Sequence, residues 1–177
     1  MKEVYHIGFT GNRPKNENGR RIQDLEAKRN YVRNALMSAN QQDHVLITGL
    51  AAGADTIACQ EALKLGIPIH LILPCSEKNY SQAFPKEFEG FPKEYLDQAI
   101  DIVTEVQSAS LPSQITWVNR KDSSYSVYQE INEIILDHAQ ILITLTNGEV
   151  TNLDGGSSEM QKLAEERNLT IINISTI

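Results

Sequence analysis

The sequence has little cysteine and no long hydrophobic run. Its two cysteines, Cys59 and Cys75, form no CxxC pair and have no neighbouring pair of histidines, so neither a disulfide framework nor a zinc site is indicated. We interpret both as reduced structural thiols. No stretch approaches the roughly 18 to 20 apolar residues that cross a bilayer, and residues 1–6 lack the apolar run of a signal peptide. These absences predict a cytoplasmic protein with no membrane partner.

Basic residues are too few for a protein that coats nucleic acid. The formal net charge is −7, whereas contacts with a phosphate backbone need clustered lysine and arginine. The basic residues are also unevenly placed, since residues 1–33 hold eight of the sixteen against four acids. This asymmetry predicts a small anionic ligand near the N-terminal segment, although a solvated helix face explains Lys28, Arg29 and Arg33 better.

Familiar cofactor and metal motifs are missing as well. The first glycine-rich loop is not GxGxxG and no GxxxxGK[ST] occurs, which disfavours a dehydrogenase and a P-loop NTPase. The four histidines, His6, His44, His70 and His138, lie within or beside apolar runs without metal-ligand spacing. We therefore predict no metal and no cofactor.

Short β-rich runs alternate with amphipathic stretches along the whole chain. Six runs rich in Ile, Val, Leu and Thr predict strands, at residues 4–9, 44–48, 67–73, 115–118, 141–145 and 169–174. Helical periodicity predicts helices at about 20–40, 54–65, 93–106, 124–138 and 157–167. This alternation predicts an α/β fold of Rossmann-like, doubly wound type, a mainly parallel sheet of about six strands with helices on both faces. We expect one domain over residues 1–177.

Residues 76–112 interrupt this rhythm and predict an ordered insertion over the sheet. Two Phe-Pro pairs, at Pro85 and Pro92, precede a helix there. Such an excursion can form a lid or wall of a site, or can cover the sheet edge. The sequence leaves both alternatives open.

Glycine-rich loops follow three of the predicted strands. Because the carboxyl ends of parallel strands lie at one edge of a sheet, these loops can meet in one crevice where the strand order reverses. The candidate ligand-binding residues are Gly8, Thr10, Gly11 and Arg13 after the first strand, Thr48, Gly49, Gly53 and Asp55 after the second, and Gly155, Gly156, Ser157 and Ser158 after the fifth.

Each loop has a physical reason to hold phosphate or ribose. Glycine lets backbone N–H groups approach a ligand, and the helix predicted after Gly156 adds the positive end of its dipole. Ser157 and Ser158 could donate to an anion or cap that helix, and each loop by itself is also typical of an ordinary connection. Three loops together favour a binding site for a nucleotide-like small molecule.

The loops also carry a resemblance to known families. Thr48-Gly49-Leu50-Ala51-Ala52-Gly53-Ala54-Asp55, followed by Ala58 and Ala62-Leu63, resembles the second-strand motif of DNA-processing protein A, and Gly155-Gly156-Ser157-Ser158-Glu159-Met160 resembles the helix start of LONELY GUY proteins. Both families belong to the SLOG (SMF/DprA/LOG) superfamily. The resemblance implies a Rossmann-like nucleotide-binding fold and a homodimer.

The resemblance further implies candidate catalytic residues, with one departure. Arg120 matches the arginine with which LONELY GUY enzymes act, whereas their catalytic glutamate falls at Lys162. Glu159 could replace it, although an acid in the first turn of a helix also stabilises the helix dipole. Arg13 and Arg120 are the expected phosphate partners, although either could instead hold a carboxylate between the loops. Asp55 and Asp154 could reach sugar hydroxyls.

Three functions therefore stay open. The first is a binding or sensor domain for a nucleotide-derived ligand, which the displaced glutamate favours. The second is a nucleoside 5′-monophosphate phosphoribohydrolase, which Lys162 disfavours. The third is single-stranded DNA binding, which the acidic charge disfavours most. Tyr125 and Tyr128 could stack on a base, but half-buried packing is the more usual role of such tyrosines on an amphipathic helix.

Overall fold

The structure is a computed structural model that describes residues 4–11, 25–40, 43–80, 93–118, 125–146 and 156–175. No helix in these ranges is long and apolar enough to cross a membrane.

Six parallel strands form one sheet. They are β1 (His6–Gly11), β2 (Val45–Thr48), β3 (Ile69–Leu73), β4 (Gln114–Trp117), β5 (Ala139–Thr146) and β6 (Thr170–Ser175). The spatial order is β4-β3-β2-β1-β5-β6, with every described pairing parallel. The fold class predicted from the sequence, a Rossmann-like α/β fold, is confirmed.

Helices cover both faces of this sheet. The α-helices are α1 (Arg29–Ala39), α2 (Ala54–Lys64), α3 (Lys93–Ser108), α4 (Tyr125–His138) and α5 (Ser157–Glu166). Side chains of α1, α2 and α3 share one buried cluster with the sheet, and those of α4 and α5 form the other. The central strands are therefore covered twice, which explains why β2 and β3 are buried at every position.

Apart from the start of the first helix, the predicted element boundaries differ from the observed ones by two residues or fewer, and most differ by one or none. The first strand begins two residues later than predicted and extends to Gly11, because Phe9, Thr10 and Gly11 continue the ladder with β5. The first predicted helix opens with a 3-10 turn, Leu25–Lys28, before α1. Residues 20–24 of that prediction lie outside the described ranges.

The strand order reverses beside β1. The chain leaves β1 for β2 on one side, whereas β5 lies on the other side and leads outward to β6. In open parallel sheets the crevice at such a reversal is where ligands bind. The fold therefore positions a candidate site at the carboxyl ends of β1 and β5.

The described part of the predicted insertion forms the crossover between β3 and β4. Helix α3 packs on α2 and on both strands that it connects. Before it, the Tyr80 ring meets the Trp117 ring of β4 edge to face, with centroids 5.6 Å apart. Residues 81–92 lie outside the described ranges, so the choice between lid and edge cover stays a prediction.

Candidate functional site

The end of β1 lies directly against the start of α2. Gly11 is buried, and a Cβ added to it would stand 2.3 Å from the Cβ of Ala54 and 3.2 Å from the Leu145 carbonyl oxygen. Real Cβ atoms essentially never come closer than 3.0 Å. Gly11 is therefore required for close packing, which brings the helix N-terminus to the strand end.

The loop after β2 is held by a buried carboxylate. Asp55, 6% exposed, accepts hydrogen bonds at Oδ2 from the Thr48 hydroxyl at 2.9 Å and from the Ala51 N–H at 3.1 Å. The Thr48 hydroxyl oxygen in turn accepts from the Leu50 N–H at 3.4 Å. These bonds hold Leu50 at a φ of +52°. Asp55 thus shapes this predicted binding loop.

Glycine enters the same loop where the backbone turns into α2. Gly53 caps the helix with a φ of +116°, a conformation that side chains disfavour. Its N–H donates to the Thr56 hydroxyl at 3.4 Å, which satisfies one of the unpaired N–H groups at the helix start. Gly49 directly follows β2, and an added Cβ there would meet the Ile131 Cγ2 at 3.2 Å. Gly49 therefore allows close packing against α4, and Gly53 allows the turn into α2.

The start of α5 lies on the other side of the β1 end. Gly156 is the N-cap, and its carbonyl accepts from the Met160 N–H at 3.1 Å. The Thr10 hydroxyl donates to the Ser157 hydroxyl oxygen at 3.1 Å. Ser157 and Ser158 are both half-buried. The first and third predicted loops therefore meet, although 147 residues separate these two hydroxyls in sequence.

Gly8, like Gly11, is required for close packing. It lies buried inside β1, where an added Cβ would meet Ala139, Leu142 and Ile135 at 3.1 to 3.4 Å. Its lack of a side chain is explained by the close packing of β1, β5 and α4.

Glu159 has a partner on α4. Its Oε1 accepts a hydrogen bond from the Gln129 side-chain amide at 3.3 Å. Lys162, at the position of the LONELY GUY glutamate, is exposed one turn later. Glu159 is therefore held against α4, and position 162 has no carboxylate. Gln129 was not among the residues predicted from the sequence, since no local pattern marks a contact across 30 positions.

Three predicted site residues, Arg13, Arg120 and Gly155, lie outside the described ranges together with Asp154. Tyr128 is 8% exposed and belongs to the core cluster under α4, so the packing interpretation of this tyrosine is confirmed.

The Cys59 thiol lies buried on α2, one turn after Asp55. Burial raises the pKa of the Cys59 thiol, and the negative charge of Asp55, one turn earlier on α2, raises it further. Cys59 is thus a neutral core thiol with no nucleophilic character. Among the described residues, no group of three or more His, Cys, Asp or Glu side chains could hold a metal ion.

A groove of about 500 Å³ lies elsewhere, beside the edge strand β4. Trp117, Ile115 and Gln107 are among its lining residues, and the Gln107 side-chain amide donates to Glu77, another lining residue, at 2.8 Å. It contains none of the glycine-loop residues, and its lining is largely polar. The convergence of three loops, rather than this groove, defines the candidate site.

Comparison with known proteins assigns the family. The model of the family described as DNA recombination-mediator protein A matches residues 19–125. This chain belongs to that family. The match contains the Thr48 to Asp55 motif and ends before the Gly155 motif, so it carries the second-strand resemblance and not the LONELY GUY one. Because the family is part of the SLOG superfamily, the superfamily assignment is confirmed.

Two solved structures are similar to the chain. DNA processing protein A from Streptococcus pneumoniae shows 14% identity and a TM-score of 0.44 over 96% of this chain, which spans 58% of that protein. The structural-genomics protein TM1055 shows 11% identity and a TM-score of 0.47 over 98% of this chain and 94% of its own length. No curated protein matches the sequence.

Proposed function

We propose that the protein binds a nucleotide, or another phosphorylated ribose compound, in the crevice at the carboxyl ends of β1, β2 and β5. The observation that carries this proposal is the meeting of two helix N-termini at the end of β1. Gly11 lies against Ala54 of α2, and Thr10 donates to Ser157 of α5. Helix N-termini present N–H groups and positive partial charge, which suit a phosphate.

Binding is favoured over hydrolysis by the surroundings of Glu159. Breaking a ribosyl bond needs a carboxylate beside the sugar to stabilise the cationic transition state. Glu159 is engaged by Gln129, and Lys162 offers no carboxylate. A phosphoribohydrolase with Arg120 and Glu159 as its catalytic pair is therefore the alternative function. The proposal also includes the homodimer that the superfamily implies.

Single-stranded DNA binding is a second candidate because the chain belongs to the DNA recombination-mediator protein A family. The net charge of −7 opposes it, since DNA binding releases counterions in proportion to the phosphates that cationic side chains neutralise. We rank it behind nucleotide binding.

The first test is thermal shift with a panel of nucleoside mono- and diphosphates, NAD and cyclic nucleotides, with free-base release measured in the same samples. A ligand at 100 times its Kd stabilises by about 2.7 kcal/mol, or about 5 to 11 °C for a chain of this size. Ser157→Ala should reduce that shift, whereas Ser108→Ala, at the exposed end of α3, should not.

The outcomes separate the candidates. Base release that disappears in Arg120→Ala and Glu159→Ala would establish the hydrolase. Retention of single-stranded DNA on a filter at low salt, without any nucleotide shift, would establish the DNA-binding function. No response to any member of the panel would refute nucleotide binding.

A further inference from the structure

Three histidines from distant parts of the sequence meet at the amino end of the sheet, opposite the candidate crevice. They are His6 at the start of β1, His70 in β3 and His138 at the end of α4. Their ring centroids lie 5.9 Å (His6–His70), 5.5 Å (His6–His138) and 5.9 Å (His70–His138) apart. We call these residues the histidine cluster. The proposed ligand site makes no use of them.

The hydrogen bonds of His70 match a neutral ring. Its Nε2 lies 2.8 Å from the Thr116 hydroxyl, and its Nδ1 lies 3.3 Å from the Gln114 side-chain amide nitrogen, which donates. Nδ1 therefore accepts and carries no proton, so Nε2–H donates to Thr116. With both nitrogens engaged and only 3% of the residue exposed, His70 offers no lone pair to a metal ion.

His138 connects the cluster to α4. The helix runs into β5 without a loop, so its last residue lies beside the start of β1. The His138 Nδ1 donates to the Ile134 carbonyl at 2.8 Å, which fixes the ring on the final turn. Because the three ring centroids lie 5.5 to 5.9 Å apart, a positive charge on any one ring would disfavour protonation of the other two.

We propose that the histidine cluster is a pH-sensitive contact that holds the C-terminal end of α4 against the sheet at neutral pH and releases it on acidification.

Among the described residues, the charged side chains that shift the pKa values of His6 and His70 are all histidines, and no carboxylate contributes. β2 is preceded by His44, which stacks near Tyr5, and β4 contributes the uncharged Gln114 and Thr116. On α4, the carboxylates of Asp137 and Glu133 are bound by Arg167, the former at 2.7 Å. Acidification therefore adds like charges to a site that already contains three imidazoles.

The direction of the titration agrees with this geometry. Burial lowers the pKa of His70 to about 4, with the charges of His6 and His138 adding to the effect. Burial also lowers the pKa of His6, followed by the charge of His138. The unfolded chain, with an ordinary value of 6.5, therefore binds protons that the folded chain does not. Stability is complete above about pH 6.5 and is lost as pH falls toward 4.

The expected size follows from His70 alone. With values of 6.5 unfolded and about 4 folded, lowering pH from 7.5 to 5 raises the unfolding equilibrium constant about 30-fold. The experiment is urea unfolding of the full chain at both pH values. In His70→Gln, the ratio of the unfolding equilibrium constants at pH 5 and pH 7.5 should be about 30-fold smaller than in the wild type. Comparing two pH values within one variant cancels any loss of stability that does not depend on pH. His44→Gln removes only the smallest of the charge contributions at His6 and none at His70, so it should keep most of the wild-type change.

A second variant tests the electrostatic effect of His138 on the other two histidines without changing a buried side chain. His138 is exposed, so His138→Gln should fold. In NMR titrations of this variant, His6 and His70 should titrate at higher pH than in the wild type. In amide hydrogen exchange at pH 5, corrected for intrinsic exchange rates, the amides near 134–139 should lose less protection than in the wild type. Unchanged titration of both histidines, or a wild-type pH response in His70→Gln, would overturn the proposal.

Discussion

The contact between β1 and α2 makes a sharp prediction at Gly11. In Gly11→Ala, the new Cβ would have to withdraw from 2.3 Å to about 3.4 Å from the Ala54 Cβ, the lower limit of ordinary contact. That movement of 1.1 Å cannot be absorbed by a rotamer, because both Cβ atoms are fixed to the backbone. The first turn of α2, and with it the loop that Asp55 holds, must move.

Overpacking of this kind costs about 1 to 3 kcal/mol. The substitution also stiffens the unfolded chain, which returns up to about 1 kcal/mol. A net loss of about 1 to 2 kcal/mol corresponds to a fall in Tm of about 2 to 8 °C for a chain of this length. Because the displaced loop belongs to the proposed site, the thermal shift with a bound nucleotide should also shrink.

The assay is a double-mutant cycle by urea unfolding. Ala54→Gly removes the opposing methyl group, so the double variant Gly11→Ala, Ala54→Gly should be more stable than the sum of the single effects by at least about 0.5 kcal/mol. Gly66→Ala is the matched control: Gly66 has a φ of +69° with nothing within 4 Å of an added Cβ, so its cost is conformational and independent of Ala54. Additive behaviour at Gly11 would refute the packing argument.

Further predictions concern three other buried groups. Thr10→Val loses the hydrogen bond to the α5 N-terminus and should cost about 1 kcal/mol in urea unfolding, with weaker nucleotide stabilisation. Burial opposes ionisation of Glu61, but hydrogen bonds from Lys64 and Arg29 outweigh it and lower its pKa. Glu61 therefore stabilises the fold above about pH 4.5, and Glu61→Gln should flatten the loss of stability below that pH. Cys59 should resist a thiol reagent until the chain unfolds, and labelling in the native state would contradict its burial.

Local sequence patterns predicted the elements of this fold because they act within single segments. The run around Ile47 marks a strand covered on both faces, and its burial on both sides follows. The boundaries of β1 and β5 were less accurate, because the ladder between the strands decides them: His6 pairs with Ala139 and Gly11 with Leu145. Pairing partners in a parallel sheet are remote in sequence and leave no local mark.

The candidate site was predictable in outline and not in its contacts. Glycine and hydroxyl residues near the carboxyl ends of β1, β2 and β5 indicated three converging segments, and Thr10 and Ser157 do meet. The sequence could not show that Asp55 is turned inward to Thr48 and the Ala51 N–H, because the same Asp at a helix start also suits a ligand-facing role. Only the conformation of the loop distinguishes a carboxylate that shapes a site from one that contacts its ligand.

The histidine cluster could not be predicted either, because His6, His70 and His138 are remote in sequence and meet only in the folded chain. The cluster lies at one end of a helix whose other end contacts the proposed site. Helix α4 contacts the start of α5 through Gln129 and ends at His138, nine residues and about 13 Å further along. One helix thus connects the crevice at the carboxyl end of the sheet with the titratable contact at its amino end. Charge that accumulates in the histidine cluster acts on the same helix that contacts the start of α5, so acidification and ligand binding are expected to be coupled through α4.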